Sequence, residues 1–217
     1  MTRPAVRLDI FSDPVCPWCY VGKANIDRAL AQHPDHPFRI QWHPFQLNPD
    51  MPPEGVAKRS YLEAKFGGKA RVDAIHERLR EVARAAGVDL DPDLPQRMPN
   101  TLNAHRLIHW AGIEAVQQQV VDALMRAYWA QGRDIGDLAT LAEIAAENGM
   151  DRAATLRLLR SDADAEDIAA RDQDARRKGV TAVPTFLVAQ HHVVSGAQPP
   201  EIWGKVIEEL ASREPSR

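Results

Sequence analysis

The chain has 217 residues, 44% of them hydrophobic, which is enough for a buried core and argues against intrinsic disorder. Its 27 basic and 30 acidic residues leave a net charge of −3, which is not the strongly basic balance that a nucleic-acid partner demands. No apolar run of about 18 residues is present, so no membrane helix is expected. Residues 1–10 lack the apolar stretch of a secretory leader, so a cytoplasmic protein is expected.

Val6, Leu8 and Ile10 alternate with Arg7 and Asp9, a period of two that predicts a strand over residues 5–11. Ser12-Asp13-Pro14 is a turn. Cys16-Pro17-Trp18-Cys19 follows at once and leads into a helix over residues 20–31. Pro17 suits the first turn of that helix, where a missing N–H removes no hydrogen bond. A break at residues 33–37 precedes Phe38, Ile40 and Trp42, which alternate with Arg39 and Gln41 as a second strand. The β-α-β unit so formed requires parallel strands and a right-handed crossover.

From residue 53 to 178 the pattern is helical. Helices are predicted over 58–66, 69–86, 101–111, 113–130, 137–148, 152–160 and 164–178, with residues 89–99 as a loop rich in Asp and Pro. Asp137 and Asp151 read as N-caps, and Ser161 with Asp164 reads as a capping box. Residues 185–188 and 192–194 then read as a hairpin, although Ala189-Gln190-His191-His192 lacks the Asn-Gly or Asp-Gly turn expected between such strands. Pro199-Pro200 opens a last helix.

The only two cysteines are three residues apart. A disulfide between near neighbours closes too short a loop to stabilise a fold, so the pair calls for a chemical explanation. Disulfide exchange needs a thiolate attacker and a second thiol within reach of the mixed disulfide. On this spacing Cys16, at the helix start, is the exposed nucleophile favoured by the helix dipole, and Cys19, one turn on and more buried, resolves. Pro17 stiffens the turn and Trp18 flanks the entrance as a substrate contact. The alternatives are half of a zinc site, which lacks the second ligand pair, or a purely structural pair. No metal and no cofactor is expected. Val183-Pro184 directly before a strand has two readings, a cis bond in a tight turn or a trans proline that starts the strand.

The order strand, Cys-Pro-Trp-Cys, helix, helical block, then Val183-Pro184 and a hairpin resembles the DsbA family of the thioredoxin fold. The segment from Asp13 through Cys16-Pro17-Trp18-Cys19-Tyr20-Val21-Gly22-Lys23 resembles the FrnE-like subgroup in particular. So do Phe45-Gln46-Leu47-Asn48-Pro49, Asn100-Thr101 with Ala104-His105-Arg106, and Val194-Ser195-Gly196-Ala197-Gln198-Pro199. The resemblance implies an α/β, thioredoxin-like fold carrying an inserted α-helical domain. Residues 1–52 and 179–217 would form the thioredoxin-like part and residues 53–178 the insertion. It implies a cis Pro184 against the dithiol, with the Val183 backbone offered to an extended substrate. It also places Asn100, His105 and Arg106 facing the dithiol, with His105 either moving protons or simply pairing within the helical domain. Phe45 and Gln46 are groove candidates, although an aromatic after a strand is more often core.

The implied activity is thiol–disulfide exchange with protein or peptide substrates, with glutathione as a further candidate partner and no nucleic acid or membrane. One departure matters. The DsbA pattern carries a histidine where this chain has Trp18, which removes a cationic donor near Cys16, so a strong oxidant is not expected. Two readings compete with this one, the first sharing the architecture. One is a glutathione-dependent isomerase or transferase of the 2-hydroxychromene-2-carboxylate isomerase or kappa-class type, in which a serine stands where Cys16 stands here. The other is a non-catalytic chaperone module.

Overall fold

The computed structural model describes residues 5–212. Residues 1–4 and 213–217 of the expected thioredoxin-like part lie outside the described residues. The elements run β1 (Val6–Ser12), α1 (Pro17–Gln32), β2 (Phe38–Pro44), β3 (Val56–Ala57), α2 (Lys58–Phe66), α3 (Lys69–Ala86), β4 (Arg97–Met98), α4 (Leu102–Ile113), α5 (Gln117–Trp129), α6 (Leu138–Glu147), α7 (Arg152–Leu159), α8 (Ala165–Arg177), β5 (Thr185–Val188), β6 (His192–Ser195) and α9 (Pro200–Ser212).

The main sheet has the order β2-β1-β5-β6. β1 and β2 are parallel, with Leu8 beside Ile40 and Ile10 beside Trp42, as a β-α-β crossover requires. β5 lies antiparallel to β1, and β6 antiparallel to β5. Leu8 and Ile10 are fully buried on one face. On the other face Asp9 is buried too, held by Arg7 and by His43 Nε2 at 2.5 Å. α1 packs with α9 and α3, while α4, α5 and α8 lie against β2. Phe186 and Trp203 meet edge to face at 4.6 Å in the core under β5. Among the described residues no helix is long and apolar enough to cross a membrane.

Three local readings are corrected. The loop over residues 89–99 contains β4, which pairs antiparallel with β3 as a two-residue ribbon too short for any period to register. Gly55, at φ +67°, lets this ribbon close, because a Cβ there would lie 2.6 Å from the Met98 carbonyl oxygen. The break between α4 and α5 falls at Ala115, in the left-handed region, so Gly112 sits within α4. The capping box at Ser161 and Asp164 does not form: Ser161 Oγ donates back to Leu158 O, and Asp164 accepts from Trp110 Nε1 at 2.8 Å. Asp137 and Asp151 do cap, accepting from Thr140 N and Ala154 N at 2.8 Å each. Finally, the hairpin turn closes without glycine, with Ala189 at φ 51° and Gln190 at φ 62°.

Candidate active site

The site is built at the junction of β1 and α1. After Ser12 the chain turns so that Cys16 N donates to Asp13 O at 2.9 Å, and Cys16 becomes the N-cap of α1 with Pro17 in the first turn. The Cys16 carbonyl then accepts from Cys19 N and Tyr20 N, which places Cys19 one turn behind it. Both thiols are free. The expectation of an exposed Cys16 is corrected, since Cys16 is 3% exposed and Cys19 1%. Trp18, at 41% exposure, lines the same groove as Cys16.

Opposite the dithiol, the loop before β5 brings in Val183 and Pro184. Their peptide bond is cis. Cys16 Sγ donates to Val183 O at 3.6 Å, so the two sequence-distant segments meet at the thiol. Pro184 O accepts from Gly196 N at 2.8 Å, tying this loop to the exit of β6. Gly22 allows α1 to approach, because a Cβ there would lie 3.0 Å from Pro184 Cγ.

Two cavities flank this contact. A groove of about 340 Å³ is lined by Cys16, Pro17, Trp18 and Val183 and by side chains of α2 and α3. A second cavity of about 600 Å³ lies on the other side of Trp18 and Val183 and includes Pro184, Asn25 and Arg28. Trp18 and Val183 therefore form the divide between them.

Beneath the dithiol lies a buried polar cluster whose centre, Asp13, reads from sequence only as a turn residue. Asp13 is fully buried and accepts from Leu47 N at 2.8 Å, from Val15 N at 3.4 Å and from Thr101 Oγ1 at 3.3 Å. Burial raises its carboxyl to about 7 against the pull of those hydrogen bonds, with the charge of Asp172 adding to the rise. His105 Nε2 lies 3.8 Å from Asp13 Oδ1 and has no hydrogen-bond partner among the described residues. Burial lowers this imidazole to about 4, against the opposing charge of Asp172. Cys19 is raised well above its ordinary value, first by burial, then by its hydrogen bond with Cys16 and by the charges of Cys16 and Asp13.

Cys16, Cys19, Pro17, Trp18, Val183 and Pro184 thus come together. Asn100 and His105 do not line the groove. Asn100 Oδ1 accepts from Leu102 N and Gln46 Nε2 while its Nδ2 donates to Met51 O, a role in shaping the entry to α4. His105 faces Asp13 on one side and a third cavity, near β2 and α5, on the other. Arg106 turns away altogether and donates to the carbonyls of Leu158, Leu159, Ser161 and Ala163. Phe45 and Gln46 are buried, as core rather than groove. Among the described residues no group of three or more His, Cys, Asp or Glu is placed to hold a metal ion.

Residues 7–208 match the DSBA-like thioredoxin domain. The chain belongs to the DsbA-like thioredoxin family. It is a mixed α/β member of this oxidoreductase family. A relative in Bacillus subtilis (strain 168), the uncharacterized protein YwbO, is 25% identical over 211 residues, 93% of this chain and 96% of the relative. The structure of a probable DsbA oxidoreductase of Streptomyces coelicolor superposes with a TM-score of 0.86 at 30% identity, covering 98% of this chain and 93% of the other. At fold level the chain is also similar to a 2-hydroxychromene-2-carboxylate isomerase, with a TM-score of 0.73 and 18% identity over 94% of this chain and 96% of the other. The cytosolic disulfide reductase DsbM of Pseudomonas aeruginosa, solved with glutathione, gives 0.68 and 18% over 95% of this chain and all of the other.

Proposed function

We propose that this DsbA-like protein exchanges disulfides through Cys16 and Cys19, with protein, peptide or small disulfides as substrates. The observation that carries this reading is the meeting of Cys16 Sγ with Val183 O, 3.6 Å apart, at the edge of an open groove with Cys19 one turn behind. Cys16 attacks a substrate sulfur, and a substrate thiolate leaves. Cys19 then attacks Cys16 Sγ, releases the second substrate thiol and closes the Cys16–Cys19 disulfide. Two electrons pass to the substrate, and reduction by an external thiol resets the pair. An extended substrate backbone lies along Val183 while the thiol is engaged. Cys19, held protonated by burial, passes its proton to the leaving substrate sulfur as it attacks, and Asp13 is the buried acid whose charge is felt at that thiol. The likeness to DsbM supports a cytosolic setting with glutathione as the resetting thiol.

Trapping tests the assignment. Cys19→Ser leaves the attacker without its resolving partner and is expected to accumulate mixed disulfides with insulin or with oxidised glutathione. Cys16→Ser is expected to accumulate none. Insulin reduction by dithiothreitol that proceeds alike in wild type and both variants sinks the proposal. The likeness to the chromene-carboxylate isomerase keeps a second reading in view, and glutathione-dependent isomerisation that survives Cys19→Ser would select it.

A further inference from the structure

The groove beside Cys16 has one feature that disulfide exchange leaves unused. Its walls are apolar, with Val15, Leu62, Val72, Leu79 and Met98 among them. Four large apolar side chains that reach solvent, Trp18, Leu47, Phe66 and Ile75, stand around it. Three basic groups, Lys58, Lys65 and His76, also line it, and among the described residues no acidic side chain does.

Lys58 is the unusual member, being only 3% exposed. Its ammonium donates to Pro92 O at 2.6 Å and lies over the rings of Trp129 at 4.9 Å and Tyr128 at 5.7 Å. A carbonyl and two ring faces solvate a cation without neutralising it. Among the described residues it makes no ion pair within 4 Å. Asp93, the acid felt most strongly there, is already bound by His76 Nδ1 at 2.8 Å and by Arg80. Burial lowers Lys58 only to about 8, so it carries its charge at neutral pH. Trp129, under Lys58, donates from Nε1 to Pro14 O at 3.0 Å, which sets the cation one indole away from the loop that carries Cys16.

We infer that the groove selects a small disulfide with an apolar, ring-sized body bearing a carboxylate, the carboxylate paired with Lys58 and the body lying between the dithiol and α2–α3. The inference rests on Cys16 being the reacting thiol. A buried cation without an anion is costly, and a substrate carboxylate relieves that cost only when bound. A volume of about 340 Å³ sits at the low end of the range of about 300–1,000 Å³ in which small-molecule sites fall, which favours a compact ligand over a polypeptide. The chemistry is the exchange given above: two thiols of the protein become one disulfide, and the substrate disulfide becomes two thiols.

Two aromatic disulfides test it, dithiobis(nitrobenzoate) with a carboxylate on each ring and uncharged dithiodipyridine. Each is mixed with reduced protein in a stopped-flow spectrometer. The ratio of the two rate constants within one protein cancels the intrinsic reactivity of Cys16. Lys58→Met is expected to lower the ratio of nitrobenzoate to pyridyl rates by about tenfold, the effect of about 1.4 kcal/mol in the barrier. Ile75→Glu, an exposed change at the mouth that keeps the test alive if Lys58→Met does not fold, is expected to move the ratio the same way. An unchanged ratio in both variants overturns the inference. So does an insulin-reduction rate that falls in Lys58→Met by as much as the nitrobenzoate rate, because the groove would then serve polypeptides. If neither aromatic disulfide reacts with wild-type protein, the dithiol reading itself fails, which separates the two failures.

Discussion

Asp13 and His105 carry opposite anomalies. Asp13 is raised from 3.8 to about 7, and His105 lowered from 6.5 to about 4, in both cases first by burial. In the unfolded chain between pH 3.8 and 6.5 the pair holds one proton, on His105. In the folded protein between about 4 and 7 it also holds one, on Asp13. Folding therefore moves a proton from one residue to the other without exchanging any with solvent, and the pair adds no pH dependence to stability between about 4 and 6.5. Single substitutions unmask the two halves. With Asp13→Asn only His105 remains, whose depressed value contributes stability that is present above 6.5 and lost as pH falls towards 4. With His105→Gln only Asp13 remains, whose raised value contributes stability that is present below 3.8 and lost as pH rises through 7. Relative to wild type, slopes of opposite sign and at most about 1.4 kcal/mol per pH unit are expected, read from urea unfolding at a series of pH values. Profiles parallel to wild type in both variants would mean that the two groups titrate normally.

Among the elements, legibility tracks how local the cause is. α2 and α3 lie where the period of their apolar residues puts them, because each ends on a glycine in the left-handed region, Gly67 and Gly87. Asp137 and Asp151 cap because the backbone N–H that each accepts from lies three residues on, within its own first turn. Asp164 has a similar composition around it and does not cap, because its backbone is left-handed at φ 58° rather than extended, and its side chain instead accepts from Trp110, more than fifty residues away. The β5–β6 hairpin shows the same limit. Its turn closes through His191 N to Val188 O at 3.1 Å and is anchored by Ala189 N to Arg7 O at 2.8 Å, so a contact with β1 holds two residues in a conformation they disfavour. Gln190 is exposed and at φ 62°. Gln190→Gly is therefore expected to stabilise the protein by about 1 kcal/mol, the left-handed penalty less part of the entropy that glycine adds to the unfolded chain. Thermal unfolding checks this, and a lower melting temperature would show that the anchor, rather than the torsion, dominates.

At the scale of the molecule, the dithiol and its helix were legible because they form a short motif at an element boundary, whereas the residues alone left Val183-Pro184 with two readings and only the family resemblance set it against the dithiol. Lys58 and Asp13 were not, because a lysine at a helix start and an aspartate in a turn read as solvated until the fold buries them. What buries them is a core that does not respect the expected division into residues 53–178 and the remainder. One cluster of buried side chains runs from Leu8, Ile10 and Phe186 in the sheet to Leu107, Leu124 and Ile144 in the helices. Trp129 joins the two parts directly, being 3% exposed in the helical block and bonded to Pro14 O beside the dithiol. A shared core predicts one cooperative unfolding transition, with far-ultraviolet circular dichroism and tryptophan fluorescence giving coincident curves. Trp129→Phe keeps most of the apolar area but leaves Pro14 O without its donor, a loss expected to cost about 1–3 kcal/mol. That loss should shift both curves together, since the bond it removes spans the two parts. Two separated transitions, or a shift in one probe alone, would show instead that the helical block folds as a unit of its own and that the groove between it and Cys16 is an interface free to open.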